Sequence, residues 1–197
     1  YDTIHGKFPE DVSFEGDIIR FGSRSVKATA IRDPKDLPCG ELGVDIALEC
    51  TGIFTAKDKA SAHLEAGAKK VLISQPGAGA DKTIVFGVNH NTLTAEDHIV
   101  SNASCTTNCL APVAYVLDKA VGLDHGYMTT IHSYTGHHPT LDTLHSDLYR
   151  ARAAALSTIP PSTGAAPAAG LVLPPLAGEL HGSSLRVPPP NVSGFAP

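Results

Sequence analysis

The sequence predicts an α/β fold in which strands are joined by crossovers, and three observations point that way. Short apolar runs at Val44–Glu49 and Val71–Ser74 flank a segment with helix signals, the strand, helix, strand spacing of a crossover unit. Further short apolar runs, Thr83–Val88 and Ile99–Ser101, follow, each succeeded by turn residues. A long segment, Ser104–Val121, then carries Leu110, Val113, Val116, Leu117 and Val121 at helical spacing before Gly122 stops it.

Ser13–Ala30 alternates apolar and polar residues around Phe21-Gly22-Ser23-Arg24, which predicts a β-hairpin. Asp33–Pro38 is a proline-marked turn, and Thr51-Gly52 ends the strand that follows it. Thr55 with Asp58 has the form of a capping box with Asp in the glutamate place, and Gly67 supplies a stop, so Thr55–Ala66 is expected to be one helix. Tyr127–His132 alternates as a strand; Ser133–Asp147 is polar, rich in His and loop-like, and an apolar helix face resumes near Leu148. Nine of the 15 prolines lie between Pro160 and Pro197, and no lysine follows Lys119. Leu173-Pro174-Pro175 and Val187–Pro190 therefore cannot lie inside uninterrupted central strands or helices. Asn191–Pro197 shows no closing element.

Hydrophobic residues make up 42% of the 197, aromatic residues 6% and charged residues 18%, enough aliphatic surface for a core and incompatible with wholesale disorder. With 15 Lys plus Arg against 20 Asp plus Glu, the formal charge is -5, and no basic footprint for nucleic acid is present. The apolar runs are too short for a membrane span, and Tyr1–Glu10 is polar without a leader-like apolar region. A soluble cytoplasmic protein is expected.

The cysteines, Cys39, Cys50, Cys105 and Cys109, lack the spacing of a disulfide framework or of a paired zinc site, and no metal is expected. Cys39 and Cys50 read as inert buried side chains. Cys105 differs because it starts a long helix, where unpaired N–H groups and the positive end of the helix dipole favour the thiolate. Among ten histidines, His132 stands out at the end of an apolar strand, where sheet edges line ligand clefts. His137-His138 reads as a pair of solvated loop residues. Taken alone, these residues suggest a Cys–His site for acyl transfer or aldehyde oxidation.

The string Ser101-Asn102-Ala103-Ser104-Cys105-Thr106-Thr107-Asn108-Cys109-Leu110-Ala111-Pro112 closely resembles the nucleophile segment of type I phosphorylating glyceraldehyde-3-phosphate dehydrogenases. The resemblance runs along essentially the whole chain, through Glu49–Gly52, Phe86–His90, Thr129–Thr135, Arg150–Ala155, Ser162–Ala166 and Arg186-Val187-Pro188. It implies a partial Rossmann-type NAD-binding domain over residues 1–104 followed by a partial α+β catalytic domain over 105–197. It also implies Cys105 as nucleophile with His132 as its activator. Substrate and inorganic-phosphate contacts carry over to Ser104, Thr106, Thr135, Thr163, Gly164 and Arg186, with Arg150 adding positive charge. NAD contacts carry over to Arg32, Thr51, Gly52 and Ser74. The implied substrates are glyceraldehyde 3-phosphate and inorganic phosphate, and the implied full-length assembly is a homotetramer through a loop resembling Thr135–Ile159. Erythrose-4-phosphate dehydrogenase shares the cysteine segment, and a catalytically silent paralogue is the alternative outside enzymes.

The chain also departs from that family. The G-x-G-x-x-G fingerprint and its following acidic residue occur nowhere in it, so the resemblance is to an internal piece, expected neither to bind NAD tightly nor to turn over alone. His137-His138 replaces an acidic or amide pair, Gly136 stands where many members have Asn, and Pro167 replaces a lysine. Pro161, Pro175 and Pro189 are further additions. Pro167 is compatible with the helix expected at Ala165–Leu173 if it falls in the first turn.

Overall fold

The computed structural model describes residues 1–196; Pro197, the last residue of the expected second domain, lies outside them. The first sheet is an antiparallel meander of β1 (Val12–Glu15), β2 (Ile18–Phe21) and β3 (Arg24–Lys27). The expected hairpin pairs Phe21 with Arg24, and a second turn through Gly16 adds the strand that the alternation did not separate. Gly16 and Gly22 have φ of 59° and 51°, the left-handed backbone that tight hairpin turns require.

The parallel sheet contains β4 (Ile46–Glu49), β5 (Lys70–Ile73), β6 (Lys82–Thr83) and β7 (Ile99–Ser101), in the spatial order β4-β5-β7-β6. Ala60, Val71, Ile73 and Ile99 form its small core. Two expectations change here. The helix predicted over Thr55–Ala66 is split into α1 (Lys57–Ala60) and α2 (Ala62–Glu65), because Ser61 turns its hydroxyl onto the Asp58 carbonyl. Its N-cap is Ala56 rather than Thr55; the Lys57 N–H is instead satisfied across the fold by the Ala78 carbonyl. The strand predicted over Thr83–Val88 stops at Thr83. Asn89 accepts from the Val85 N–H and donates to the Thr83 carbonyl, closing a turn that leads the chain out of the sheet.

The third sheet joins β8 (Gly126–Ser133) and β9 (Leu180–Val187) in parallel, with β10 (Gly194–Ala196) antiparallel on the other side of β8. The segment after Asn191 thus has a closing element: the prolines after β9 end one strand and the chain returns as β10. Helices α3 (Cys105–Val121) and α4 (Ala165–Val172) cover one face of the sheet. Leu110, Ala111, Ala114, Met128, Ala169, Val172 and Leu180 form the larger core there. Pro167 is the third residue of α4, where its missing N–H costs no intrahelical bond. Near Leu148 there is a single 3-10 turn, Leu148–Ala151, and Leu148 itself is exposed. Among the described residues no helix is long and apolar enough to cross a membrane.

A buried side-chain contact between Glu49 and His63 ties β4 to α2. Glu49 Oε2 lies 2.8 Å from His63 Nε2, while Glu49 Oε1 accepts from the Thr51 N–H at 2.7 Å and from the Thr51 hydroxyl. Burial alone would raise the Glu49 carboxyl, but the bonds from Thr51 and His63 together hold it below its ordinary value. Because Glu49 points inward at the strand end, its neighbour Cys50 points out; it is exposed, whereas Cys39 is buried as expected. Asp81 anchors the far side of the sheet, accepting from Lys57 and from the His98 and Ile99 N–H groups.

Two outcomes follow for stability. Glu49→Ala leaves His63 buried without its partner and should cost about 1–3 kcal/mol in urea unfolding. His63→Ala should cost less once Glu49 is already gone; a loss under about 1 kcal/mol for Glu49→Ala would contradict a structural role for the pair. The Lys57 bond, opposed by burial and reinforced by the two N–H groups, lowers the Asp81 carboxyl from 3.8 to about 2. Its contribution is therefore present above the unfolded value and lost as pH falls from about 4 toward 2. Asp81→Asn should flatten that acid slope by about 1–2 kcal/mol, allowing for the half-exposed Lys57.

Candidate active site

The chain turns from β7 into α3 through Ala103, a buried non-glycine residue with φ of 56°. Such a left-handed residue costs roughly 1–2 kcal/mol, offset here by bonds on both sides. The Ser101 hydroxyl accepts the Ala103 N–H at 3.1 Å, and Ser104 Oγ caps the helix by accepting the Thr107 N–H at 3.0 Å. The result sets Cys105 as the first residue of α3, with its side chain exposed.

His132 comes from β8. Its Nε2 lies 3.2 Å from Cys105 Sγ. Its Nδ1 lies 2.7 Å from the Ser133 carbonyl, 2.6 Å from Arg186 Nη1 and 3.5 Å from the Ser193 hydroxyl. Arg186 is the partner of His132 in the β8–β9 register and also donates from Nη1 to the Ser133 carbonyl at 3.0 Å. Its Nε is buried without a hydrogen-bond partner among the described residues. Burial lowers the guanidinium below its ordinary value; the Cys105 sulfur opposes that shift and Arg150 adds to it.

A cavity of about 280 Å³ opens beside the thiol, lined by Ser104, Cys105, Thr106, His132, Arg150, Thr163, Gly164 and Arg186, together with Pro76, Pro161, Ser162 and Ser184. Gly164 is the N-cap of α4, and the Thr163 hydroxyl accepts the Ala165 N–H at 3.2 Å. The starts of α3 and α4 therefore both meet this cavity, alongside two guanidinium groups, which suits it to an anion. Arg150 is itself steadied by Asp147 at 3.1 Å.

Thr135 is not among the lining residues. Its N–H and hydroxyl lie 3.4 Å and 3.2 Å from Nδ1 of His138. His138 is buried, not solvated as its loop position suggested; burial and the Arg186 charge push it below the ordinary histidine value. His137 is exposed as expected.

Thr51, Gly52 and Ser74 follow the carboxyl ends of the adjacent parallel strands β4 and β5, and all are exposed. The Ser74 N–H donates to the Glu49 carbonyl at 3.0 Å. A Cβ on Gly52 would lie 3.5 Å from Gln75 Nε2 and 3.6 Å from His137 Nε2. Gln75 Nε2 is buried with no hydrogen-bond partner among the described residues. Arg32 stands apart from this edge in sequence, exposed between β3 and the turn at Pro34–Asp36. Pro76, just beyond Ser74, reaches the cavity beside Cys105 and so links the sheet edge to the thiol.

Sequence reasoning missed Ser193, which bonds the Ser133 N–H at 3.2 Å, and the Glu49–His63 pair under the Thr51 turn. An acidic residue ending an apolar strand was the available signal for Glu49. No group of three His, Cys, Asp or Glu among the described residues is arranged to hold a metal ion.

Comparison with known proteins agrees along the chain. Residues 1–57 match the family description "Glyceraldehyde 3-phosphate dehydrogenase, NAD binding domain", and residues 104–195 match "Glyceraldehyde 3-phosphate dehydrogenase, C-terminal domain". The chain is 67% identical over 193 residues to a glyceraldehyde-3-phosphate dehydrogenase of Xanthobacter flavus, covering 98% of this chain and 58% of that protein. It is 65% identical over 193 residues to one of Cereibacter sphaeroides, covering 98% of this chain and 57% of that protein. The Pseudomonas aeruginosa protein of the same name is 58% identical over 193 residues, with 98% and 58% covered. The chain thus spans about 58% of the length of the curated relatives it matches. With both domain descriptions matched in chain order and identity this high, the chain belongs to the glyceraldehyde-3-phosphate dehydrogenase family.

Proposed function

We propose that this chain carries the reacting centre of an NAD-dependent phosphorylating glyceraldehyde-3-phosphate dehydrogenase, which converts glyceraldehyde 3-phosphate to 1,3-bisphosphoglycerate through a cysteine thioester. The observation that carries the reading is the 3.2 Å contact of Cys105 Sγ with His132 Nε2 at the edge of a cavity built to hold an anion. In this reading residues 1–104 are the NAD-binding part and 105–197 the catalytic part.

Cys105 attacks the aldehyde carbon, and His132 with the N–H groups at the start of α3 holds the oxyanion that forms. Arg186, Arg150, Thr163 and the start of α4 hold the phosphate groups, with bidentate donation from Arg186 as the strongest single contact. Thr51, Gly52 and Ser74, with Arg32, would hold part of NAD; the exposed strand ends and the unpartnered Gln75 amide fit such a polar ligand. When bound, NAD supplies the hydride acceptor that leaves an acyl thioester on Cys105. Inorganic phosphate then attacks the thioester carbonyl, expelling the Cys105 thiolate and releasing the acyl phosphate. The exposed Leu141, Leu144, Leu148 and Tyr149 support a subunit-contacting role for the loop in a homotetramer.

A chimera tests the reaction. Replacing the aligned 193 residues of the Xanthobacter flavus relative with this sequence should give NAD reduction that requires both glyceraldehyde 3-phosphate and phosphate. Cys105→Ala should lower that rate by at least ~10³-fold; retained turnover would sink the assignment. Faster oxidation of erythrose 4-phosphate would favour the sister activity, and an inert chimera with an unreactive Cys105 would favour a silent paralogue. The 197-residue chain alone, which holds no glycine fingerprint, should show only weak NAD binding by calorimetry. Tight binding would contradict that expectation.

A further inference from the structure

Asparagine is a weak helix former because its amide competes for the helix's own backbone groups, yet Asn108 is the fourth residue of α3. Its Nδ2 lies 2.7 Å from the Asn102 carbonyl oxygen and 2.9 Å from the Ser104 carbonyl oxygen. Both partners are acceptors only, so the atom facing them is the NH2 group, which carries one hydrogen for each. The Asn108 backbone N–H also donates to the Ser104 carbonyl, at 2.9 Å. Between the two carbonyls stands Ala103, with its φ of 56°. A residue with a Cβ leaves that left-handed region unless its surroundings hold it there. Two bonds act from the sheet side: the Ser101 hydroxyl accepts the Ala103 N–H at 3.1 Å, and the Asn102 N–H donates to the Ile73 carbonyl at 2.9 Å. The Asn108 amide instead spans Ala103, tying the residue before it to the residue after it.

We propose that Asn108 is a positioning residue for the nucleophile: by bridging the carbonyls on either side of Ala103, its amide fixes the start of α3 so that Cys105 Sγ stays beside His132. This rests on the reading of Cys105 and His132 as the reacting pair. A rotation of Ala103 out of the left-handed region would separate the two carbonyls and swing the start of α3. The Cys105 sulfur, two residues on, would move with it and lose its 3.2 Å approach to His132 Nε2. Asn102 is exposed and Asn108 half-buried, so water can solvate the carbonyls once the amide is gone. Solvent does not tie them together. The loss therefore falls on the geometry of the thiol more than on the fold.

Alkylation of the 197-residue chain with iodoacetamide at neutral pH, read at each cysteine by mass spectrometry, tests this. Asn108→Ala should slow Cys105 at least ~10-fold, since a misplacement of about 1 Å can cost about 100-fold where reacting groups must be aligned. Cys50, exposed at the end of β4, should keep its rate and buried Cys39 its protection, which separates lost position from lost fold. Adding Ala103→Gly removes the penalty on the left-handed backbone and should restore most of the Cys105 rate, a rescue that damage elsewhere in α3 would not show. If Cys39 reacts freely because Asn108→Ala does not fold, Asn108→Ser serves instead. Its hydroxyl can reach back to the Ser104 carbonyl but cannot bridge to Asn102, so the same loss and the same rescue are expected. An unchanged Cys105 rate in the variant that folds overturns the proposal, and so does a loss that Ala103→Gly leaves untouched. A wild-type chain in which Cys105 does not outpace Cys50 would contradict the reading of Cys105 as the nucleophile, and this proposal with it.

Discussion

The parallel register of β8 against β9 is the constraint on which the site depends. It pairs His132 with Arg186 across the ladder, and paired residues project to the same face of a sheet. A slip of one residue would send His132 to the opposite face and dissolve the contact with Cys105. The register is held by packing as much as by hydrogen bonds. Met128 pairs with Gly182, and a Cβ on Gly182 would come within 2.8 Å of the Met128 side chain, so only glycine fits under that methionine. The apolar faces of α3 and α4 then settle on the same sheet, which brings both helix starts to the edge where His132 and Arg186 emerge.

This arrangement concentrates positive potential in a small volume. Two helix N-termini and two guanidinium groups meet one cavity, while Asp147 is the acidic partner of Arg150 and stands outside the lining. The mutual repulsion of Arg186 and Arg150 and the burial of Arg186 are costs that a bound anion would relieve. His138, held below the ordinary histidine value by its burial and by the Arg186 charge, serves as acceptor for Thr135. The parallel sheet contributes through a separate device. Glu49, pinned by His63, organises the Thr51 turn from beneath, so the edge proposed for NAD is backed by a buried hydrogen bond.

What was legible in the sequence was local. The spacing of Leu110 through Val121 and the Ser104 cap define α3, and the place of Cys105 at its start follows from that alone. The strand ending at His132 was equally readable from alternation. Contacts between distant segments were not. The pairing of His132 with Arg186 joins residues 54 apart, and nothing in either strand marks the other as its neighbour. The roles proposed for Arg186, Thr163 and Thr51 were therefore accessible only through the family resemblance. Local signals also misled where side chains competed with the backbone. Ser61 breaks a helix that periodicity made continuous, and Asn89 ends a strand that hydrophobicity extended to Val88. The closing strand Gly194–Ala196 is short and follows three prolines, so only its partner β8 reveals it.

The central claim is that the fold, by placing Cys105 at a capped helix start beside His132, makes this thiol different in kind from the other exposed cysteines. Cys50 and Cys109 are also exposed and serve as internal controls. Timed alkylation of the chain with iodoacetamide at neutral pH, read site by site by mass spectrometry, compares the three directly. Cys105 should react first and lose most of its lead in His132→Ala; equal rates at the three cysteines, or a lead untouched by the loss of His132, would contradict the account.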